Sequence, residues 1–91
     1  MTSEWSDLAL ADLDRLYAFL AAVNPGAADR IVQALAVAPR RLLDYPRLGE
    51  RLEQFEAREV RRIFVGNYEM RYEIVGETIT ILRIWHARER R

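Results

Sequence analysis

The N-terminal third of the chain carries apolar residues at helical spacing. Ala9, Leu13, Leu16, Leu20 and Val23 follow one another at steps of four and three residues. This spacing places them on one side of a helix, so the pattern predicts an amphipathic helix that ends near Val23. The charged residues Asp12, Asp14 and Arg15 of this helix lie off the apolar stripe.

Capping residues mark where this helix begins and where a second one follows. Ser6 is suited to the N-cap position, because its hydroxyl can accept a free backbone N–H of the first turn. Asn24-Pro25 predicts the end of the first helix, since a residue before proline avoids the α conformation. It also predicts the start of the second helix, since proline favours the first helical position. The second apolar stripe consists of Ile31, Leu35, Ala38 and Leu42. With almost no residues between the two helices, we expect an antiparallel hairpin.

Pro39 interrupts the second stripe and predicts a break near Ala38, followed by a short further turn to about Asp44. The next segment, residues 45–58, is polar and contains proline and glycine. We expect it to form a loop with one helical turn at Glu50–Phe55.

In the last third of the chain the apolar period changes to two. Val60–Val65, Tyr68–Val75 and Thr78–Trp85 are predicted strands, and two dipeptides separate them. Gly66-Asn67 and Gly76-Glu77 each suit a two-residue hairpin turn, so the three strands form a meander.

Two-residue turns also predict which residues face each other across the strands. In the predicted register Val65 faces Tyr68, Ile63 faces Met70, Ile74 faces Ile79 and Tyr72 faces Ile81. Together with Trp85 these residues form one apolar face for the helices to cover. The predicted fold is therefore α+β, with an N-terminal antiparallel helical hairpin packed on one face of a small antiparallel sheet. A short edge strand before Ser6 is compatible with this arrangement.

The second face of the predicted sheet mixes charged and apolar side chains. Its residues are Val60, Arg62, Phe64, Glu69, Arg71, Glu73, Thr80, Leu82 and Ile84. Arg62 lies directly opposite Arg71, which is unfavourable unless nearby carboxylates neutralise the pair. This face is either an ordinary solvated surface or an anion-recognising surface for acidic side chains or phosphates. Because its arginines lie among apolar residues, its composition is that of a protein interface rather than of a groove that binds by charge alone. Arg83 falls on the apolar face in this register, where we expect it to pair with Asp12 or Asp14.

Composition narrows the chemistry that this chain can perform. At 91 residues, 51% of them hydrophobic, residues 1–91 are expected to form a single domain. The absence of cysteine excludes disulfides and thiolate chemistry, and a single histidine makes a structural zinc site implausible. With neither a signal peptide nor a membrane span in view, we expect a cytoplasmic protein.

The charge balance argues against nonspecific nucleic-acid binding. The formal net charge is zero, and all 14 basic residues are arginine. The sequence contains no glycine-rich phosphate loop and no hydrolase or metalloprotease motif. His86 is a candidate general acid or base, but it has no defined partner in the sequence. We therefore expect no cofactor and no metal, and the residues favour a binding role over catalysis.

Two stretches carry a resemblance to a known family. They are WSDLALADLDRLYAFLAAVNPGAADRI, which starts at Trp5, and EVRRIFVGNYEMRYEIVGETITILRIWHARE, which starts at Glu59. The matching features are the W-S-x-x-A-x-x-D-L opening, Asn24-Pro25 between the helices, the V-R-R-I, N-Y and Y-E-I segments, and the I-x-I-L-R-I-W-H-A-R ending. In order and spacing these features resemble the RelE/ParE superfamily of bacterial type II toxins, and most closely its ParE branch.

The resemblance implies a toxin from a two-gene module. A ParD-like antitoxin would wrap the toxin with a C-terminal helix and an extended segment, forming a hetero-oligomer. ParE-like members block DNA gyrase and have no catalytic centre of their own. We expect the uncovered sheet face and the C-terminal tail to bind the target or the antitoxin. The expected contact residues are Arg62, Phe64, Arg71, Leu82, Arg83, Ile84, Trp85, His86, Arg88 and Arg90.

Two alternatives remain open from the sequence. A RelE-like toxin would cleave mRNA in the ribosomal A site, with Arg62, Arg71 and His86 as a catalytic triad. Glu69 opposes this reading, because it stands where nuclease relatives tend to carry arginine and a carboxylate there would repel the scissile phosphate. The other alternative is a non-toxic relative that keeps only antitoxin binding.

Overall fold

The computed structural model describes residues 1–89, which form three helices and one five-stranded sheet. The helices are α1 (Asp7–Val23), α2 (Pro25–Val37) and α3 (Pro39–Asp44). The strands are β1 (Thr2–Trp5), β2 (Glu50–Arg51), β3 (Glu59–Val65), β4 (Tyr68–Val75) and β5 (Thr78–His86). They are ordered β1-β5-β4-β3-β2, with the helices packed on one face. The predicted α+β architecture is confirmed.

The predicted helix ends are confirmed by hydrogen bonds. The Ala9 N–H donates to the Ser6 hydroxyl at 3.0 Å, and the Ala27 N–H donates to the Asn24 side chain at 3.1 Å. Val23 was predicted to end the apolar stripe of α1, but it is 77% exposed and takes no part in the core. None of the helices in residues 1–89 is long and apolar enough to cross a bilayer.

The meander has the predicted register in its first hairpin. Val65 pairs with Tyr68 and Arg62 with Arg71, as the two-residue turn requires. Gly66 and Gly76 begin the two turns, each with a φ of 58°. This left-handed conformation costs glycine little and most other residues more, so the turns depend on these two positions.

The edges of the sheet were not predicted correctly. The edge strand before Ser6 exists, but β1 runs parallel to β5, so the sheet is mixed rather than antiparallel. The helical turn expected at Glu50–Phe55 is wrong: Glu50–Arg51 forms β2 and pairs with β3. A two-residue strand is too short to show a period of its own, and its pairing partner is distant in sequence.

A β-bulge in β5 is the most consequential difference from the prediction. Tyr72 pairs with Ile81, but its neighbour Arg71 pairs with Arg83, so Leu82 is the extra residue. An inserted residue reverses which side chains point to each face from there onward. Ile84 therefore faces the helices and is fully buried, while Arg83 and Trp85 lie on the opposite face. The predicted placement of these three residues was wrong for this single reason.

The bulge lies where β1 gives way to α1. The Ser6 N–H donates to the Ile81 carbonyl at 2.9 Å, and the Ser6 hydroxyl donates to the Leu82 carbonyl at 2.9 Å. Ser6, which caps α1, thus also hydrogen-bonds the edge of β5 that faces β1. Beyond Ile81, β1 no longer pairs with β5.

The loop between α3 and β2 is tied to the core by Tyr72. The buried Tyr72 hydroxyl donates to the Pro46 carbonyl at 2.7 Å and accepts the Gly49 N–H at 3.0 Å. Burial raises the pKa of this hydroxyl, so it stays protonated and keeps its role as a donor. Arg61 completes the anchor by donating to the Gly49 carbonyl at 2.8 Å.

We expect Gly49→Ala to lower the free energy of unfolding by about 1–3 kcal/mol, the range for forcing extra volume into a packed site. A Cβ at Gly49 would clash with the Arg62 carbonyl and lie 2.9 Å from the Tyr72 hydroxyl oxygen. Urea denaturation measures the effect. Gly26→Ala is the matched control, since a Cβ there meets its nearest atoms at ordinary distances. Equal stability of the two variants would contradict the prediction.

Candidate protein-interaction surface

Three arginines lie side by side on the sheet face that the helices leave uncovered, here called the open face. Arg62 of β3 is the direct partner of Arg71 of β4, and Arg71 is the direct partner of Arg83 of β5. We refer to these three residues as the arginine row. The sequence predicted the first pair, but the bulge was needed to bring Arg83 beside it.

Carboxylates neutralise every member of the arginine row. Arg62 forms an ion pair with Glu50 and lies 3.5 Å from Glu69. Arg71 contacts the same Glu69 at 3.2 Å, and that glutamate is fully buried between them. Like charges on adjacent strands repel each other, so the row is stable only because these acids are in place.

Asp12 of α1 supplies the carboxylate for Arg83. Arg83 donates to both Asp12 oxygens, at 2.8 and 3.1 Å, and the Ile84 N–H donates to the same carboxylate at 2.9 Å. Burial raises the pKa of Asp12, but the bonds from Arg83 and Ile84 outweigh it, so the pKa lies below its ordinary value. The predicted pairing of Arg83 with Asp12 is confirmed, although Asp12 had been placed off the buried stripe.

Aromatic rings alternate with the guanidinium groups on the open face. The Arg71 and Arg83 guanidinium carbons lie 4.8 and 5.0 Å from the Trp85 ring centroid, within the range of cation–π attraction. Trp85 is only 8% exposed, whereas Phe64, which lies under the Arg62 guanidinium, is 53% exposed. Phe64 is therefore the large apolar side chain that this part of the face offers to a partner.

The loop between β2 and β3 covers one end of the open face, which the sequence did not predict. Arg58 of this loop donates twice to Glu73, both times at 2.8 Å, and this hydrogen bonding lowers the pKa of Glu73. Phe55 lies beneath both Arg58 and Arg71, with 5.7 Å from each guanidinium carbon to its ring. An aromatic residue in an otherwise polar loop was the only sequence signal for this cover.

His86 lies on the other face of the sheet. It pairs with Tyr68, a core residue on the helix side, and the two rings meet edge to face at 5.2 Å. Its Nδ1 accepts the Arg88 N–H at 3.1 Å. The structure therefore separates His86 from Arg62 and Arg71, which the sequence had grouped as a possible catalytic triad.

A cleft of about 520 Å³ opens beside His86, between α1 and the end of β5, and we call it the helix-side cleft. Its lining residues are Arg15, Leu16, Phe19, Tyr68, His86, Arg88 and Glu89. Phe19 is strongly exposed at its rim, and Arg15 donates to Glu89 at 2.9 Å across it. The cleft is thus apolar inside and charged outside.

The remaining predicted contact residues have different positions. Leu82 is partly buried at the bulge, and Ile84 is sealed in the core and cannot serve as a surface anchor. Arg88 is exposed beside the helix-side cleft, while Arg90 lies outside the described residues. Residues 1–89 contain no group of three or more side chains suited to hold a metal ion.

Comparison with known proteins identifies the family. A model described as the ParE toxin of the type II toxin–antitoxin system, parDE, matches residues 3–91. This chain belongs to the ParE toxin family. The resemblance to RelE/ParE toxins noted in the sequence is therefore confirmed.

Two relatives show how far the similarity extends. Toxin RelE2 of Caulobacter vibrioides is 35% identical to this ParE-type chain over 83 residues, which cover 91% of each protein. A solved structure described as the chromosomal ParDE TA system from P. aeruginosa matches the chain with a TM-score of 0.76 and 26% identity. That match covers 94% of this chain and 95% of the other.

Proposed function

We propose that this ParE-type toxin inhibits DNA gyrase by binding it through the open face of the sheet, and so stops replication without cleaving RNA. The observation that carries the proposal is the bulge at Leu82. It turns His86 to the helix side, while Arg62 and Arg71 stay on the open face. A general acid or base must lie within hydrogen-bonding reach of the reacting group, and two opposite faces cannot meet that requirement.

The electrostatics of the open face also favour protein binding over phosphate chemistry. Arg62, Arg71 and Arg83 each have a carboxylate partner, so the row presents no free positive charge for a phosphate. A buried Glu69 next to the site would repel a scissile phosphate through a low-dielectric environment. RNA binding ordinarily depends on uncompensated cations.

The composition of the open face matches that of a protein interface. Arginine and aromatic residues are enriched at such interfaces and often supply the largest share of the binding energy. Phe64 and the Arg62 guanidinium that stacks on it form the more exposed part of this set, whereas Trp85 is buried against the Arg71 guanidinium. In this proposal Phe64 is the apolar anchor and Arg62 the polar one.

We further propose that a ParD-like antitoxin neutralises the toxin by binding the helix-side cleft. Phe19 offers it an apolar surface beside His86, and Arg88 offers a cation at the rim. An antitoxin segment with apolar side chains flanked by carboxylates would suit both features. Toxin and antitoxin would then form a hetero-oligomer, and an extended antitoxin segment would also mask part of the open face.

The second candidate is a ribosome-dependent mRNA endonuclease, which the name of the relative Toxin RelE2 favours. Two assays on the purified protein decide between them. A supercoiling assay with DNA gyrase shows inhibition if the first proposal holds. A translation reaction with mapped mRNA ends shows codon-linked cuts if the second holds. If neither responds but the antitoxin binds tightly, the chain is a non-toxic binder.

We expect His86→Ala to leave gyrase inhibition within about twofold of the native protein, because His86 lies on the face opposite the arginine row. If the protein were a nuclease that used His86 as an acid or base, the same change would lower cleavage by about 10²–10⁴-fold. The concentration for half-maximal inhibition of supercoiling measures the first effect.

Arg62→Ala is the matched comparison for His86→Ala, because it changes the open face and not the helix-side cleft. We expect it to weaken gyrase inhibition and to leave antitoxin affinity less affected. A variant series in which His86→Ala abolishes inhibition while Arg62→Ala has no effect would contradict the assignment of the open face to the target.

A further inference from the structure

One strand edge of the sheet is left unpaired next to the open face. β3 extends to Val65, but β2 pairs only with its Arg61 and Arg62. Within residues 1–89, no strand accompanies β3 beyond Arg62 on that side. Three residues at the end of β3 therefore form a bare strand edge, residues 63–65.

The hairpin register determines which backbone groups point out from this edge. Val65 and Tyr68 flank a two-residue turn, so their backbone groups bond each other across the hairpin. Along β3, residues that bond β4 then alternate with residues whose backbone groups point away from β4. The N–H and C=O of Phe64 must then point away from β4. Val60 agrees with this alternation along β3, because its carbonyl also points away from β4 and accepts the Leu52 N–H at 2.9 Å.

The chain before β2 turns aside instead of covering the edge. Gly49 precedes β2, and its N–H donates to the Tyr72 hydroxyl rather than to β3. Its carbonyl accepts from Arg61. Both backbone polar groups of Gly49 are therefore engaged away from the end of β3, and a groove lies beside Phe64.

A groove of about 350 Å³ runs along this edge, lined in part by Arg41, Leu48, Glu50, Ile63 and Phe64. Leu48 and Phe64 are both about half exposed. Proteins ordinarily protect a strand edge with charge, proline or a covering loop, whereas this one has exposed apolar side chains beside it. Those are the features of a site where an extended peptide adds a strand.

The charges along the groove indicate which peptide fits. Arg62 is already paired with Glu50 and Glu69, but Arg41 of α3 has no acidic partner among residues 1–89. Side chains of an added strand alternate between the two faces of the sheet. The residue opposite Phe64 would lie on the open face, and its neighbour would point to the helix side, toward Arg41.

We propose that an extended segment of the target protein adds to β3 at residues 63–65, with an apolar residue beside Phe64 and an acidic residue at Arg41. The edge is continuous with the open face through Phe64 and Arg62, so one partner reaches both. This inference rests on the proposed function, in which the target is DNA gyrase.

Two substitutions at Phe64 isolate the backbone contact. Both Phe64→Ala and Phe64→Pro remove the ring, but only proline also removes the outward N–H, which an edge strand tolerates. We expect Phe64→Pro to need about tenfold more protein than Phe64→Ala for half-maximal inhibition of supercoiling, because the added strand loses a hydrogen bond and meets the proline ring. Thermal melting verifies that both variants are folded.

Arg41→Glu tests the charge, with Arg40→Glu on the same helix as the control, since Arg40 is exposed and does not line the groove. We expect about fivefold weaker inhibition from the first variant and no change from the second, because charge reversal opposes an acidic partner.

Hydrogen exchange on the native toxin provides a test that needs no variant to fold. In the complex with gyrase, the Phe64 amide is expected to exchange at least about tenfold more slowly, because it becomes hydrogen-bonded. If gyrase binds without protecting this amide and the two Phe64 variants inhibit equally, strand addition at β3 is wrong, whereas the proposed function stands. If the native toxin neither binds nor inhibits gyrase, the proposed function fails and this inference fails with it.

Discussion

Replacement of Asp12 by alanine is expected to lower the free energy of unfolding by about 2–4 kcal/mol. This is somewhat less than for a fully buried ion pair, because the Arg83 side chain that loses its partner is 36% exposed to water. The Asp12 carboxylate is buried and accepts from Arg83 and from the Ile84 N–H. Without it, Arg83 loses its counterion next to Arg71, and a buried backbone donor at the end of β5 loses its acceptor. Urea denaturation measures the change.

Two comparisons make the Asp12 prediction specific. Asp14→Ala removes an exposed carboxylate two residues along the same helix and should leave stability nearly unchanged. Asp12→Asn keeps an acceptor for Ile84 but loses the charge, so its effect should be smaller than that of Asp12→Ala. If all three variants were equally stable, Asp12 would not hold α1 to β5.

The same residue predicts a dependence of stability on pH. Because the pKa of Asp12 in the folded protein lies below its ordinary value, the stability that it provides is present above the unfolded pKa of about 3.9. That contribution is lost as the pH falls through the folded pKa. The difference in stability between the native protein and Asp12→Asn should therefore narrow below about pH 4. A difference that stays constant from pH 6 to pH 3 would be inconsistent with a charged Asp12.

Glu69→Gln is expected to lower the free energy of unfolding by about 2–3 kcal/mol, because it leaves charged guanidinium groups with a neutral partner in a buried place. Glu69 is fully buried and lies 3.2 Å from Arg71 and 3.5 Å from Arg62. Glutamine keeps the shape and an acceptor oxygen, so the loss measures the charge. Denaturant unfolding at pH 7 gives the value.

The exposed Glu53 offers the control for this substitution. Glu53→Gln removes the same charge from a solvated loop position and should change stability little. Glu69→Gln also raises the net positive charge of the open face, so we expect it to strengthen nonspecific RNA binding at low salt. Full stability of Glu69→Gln would mean that the arginine row does not depend on this carboxylate.

Much of the open face could be predicted because it follows from a short turn. The pairing of Arg62 with Arg71 required only that Gly66-Asn67 form a two-residue turn, which is a local property of those residues. Phe64 was assigned to the same face by strand alternation. The same reasoning failed for Ile84 and Trp85, since the bulge at Leu82 reversed the alternation after it.

The contacts that other segments of the chain make with the arginines of the open face were much harder to predict. Asp12 looked like a surface residue of α1, yet it bonds Arg83, 71 positions later in the chain. Phe55 lay in a polar loop with no periodic signal, yet it packs beneath Arg71. Such contacts join segments that are distant in sequence, and nothing in the local pattern of either segment indicates them.

The sequence by itself determined the helices, the three long strands, their turns and the register of the first hairpin. Each of these depends on caps, periodicity or turn residues within a few positions of one another. Only the tertiary structure decided the parallel pairing of β1, the short strand β2 and the bulge in β5. These depend on where β1 ends against β5 and on how Gly49 is held by Tyr72. It is this long-range packing that separates His86 from the arginine row and leaves the edge of β3 open.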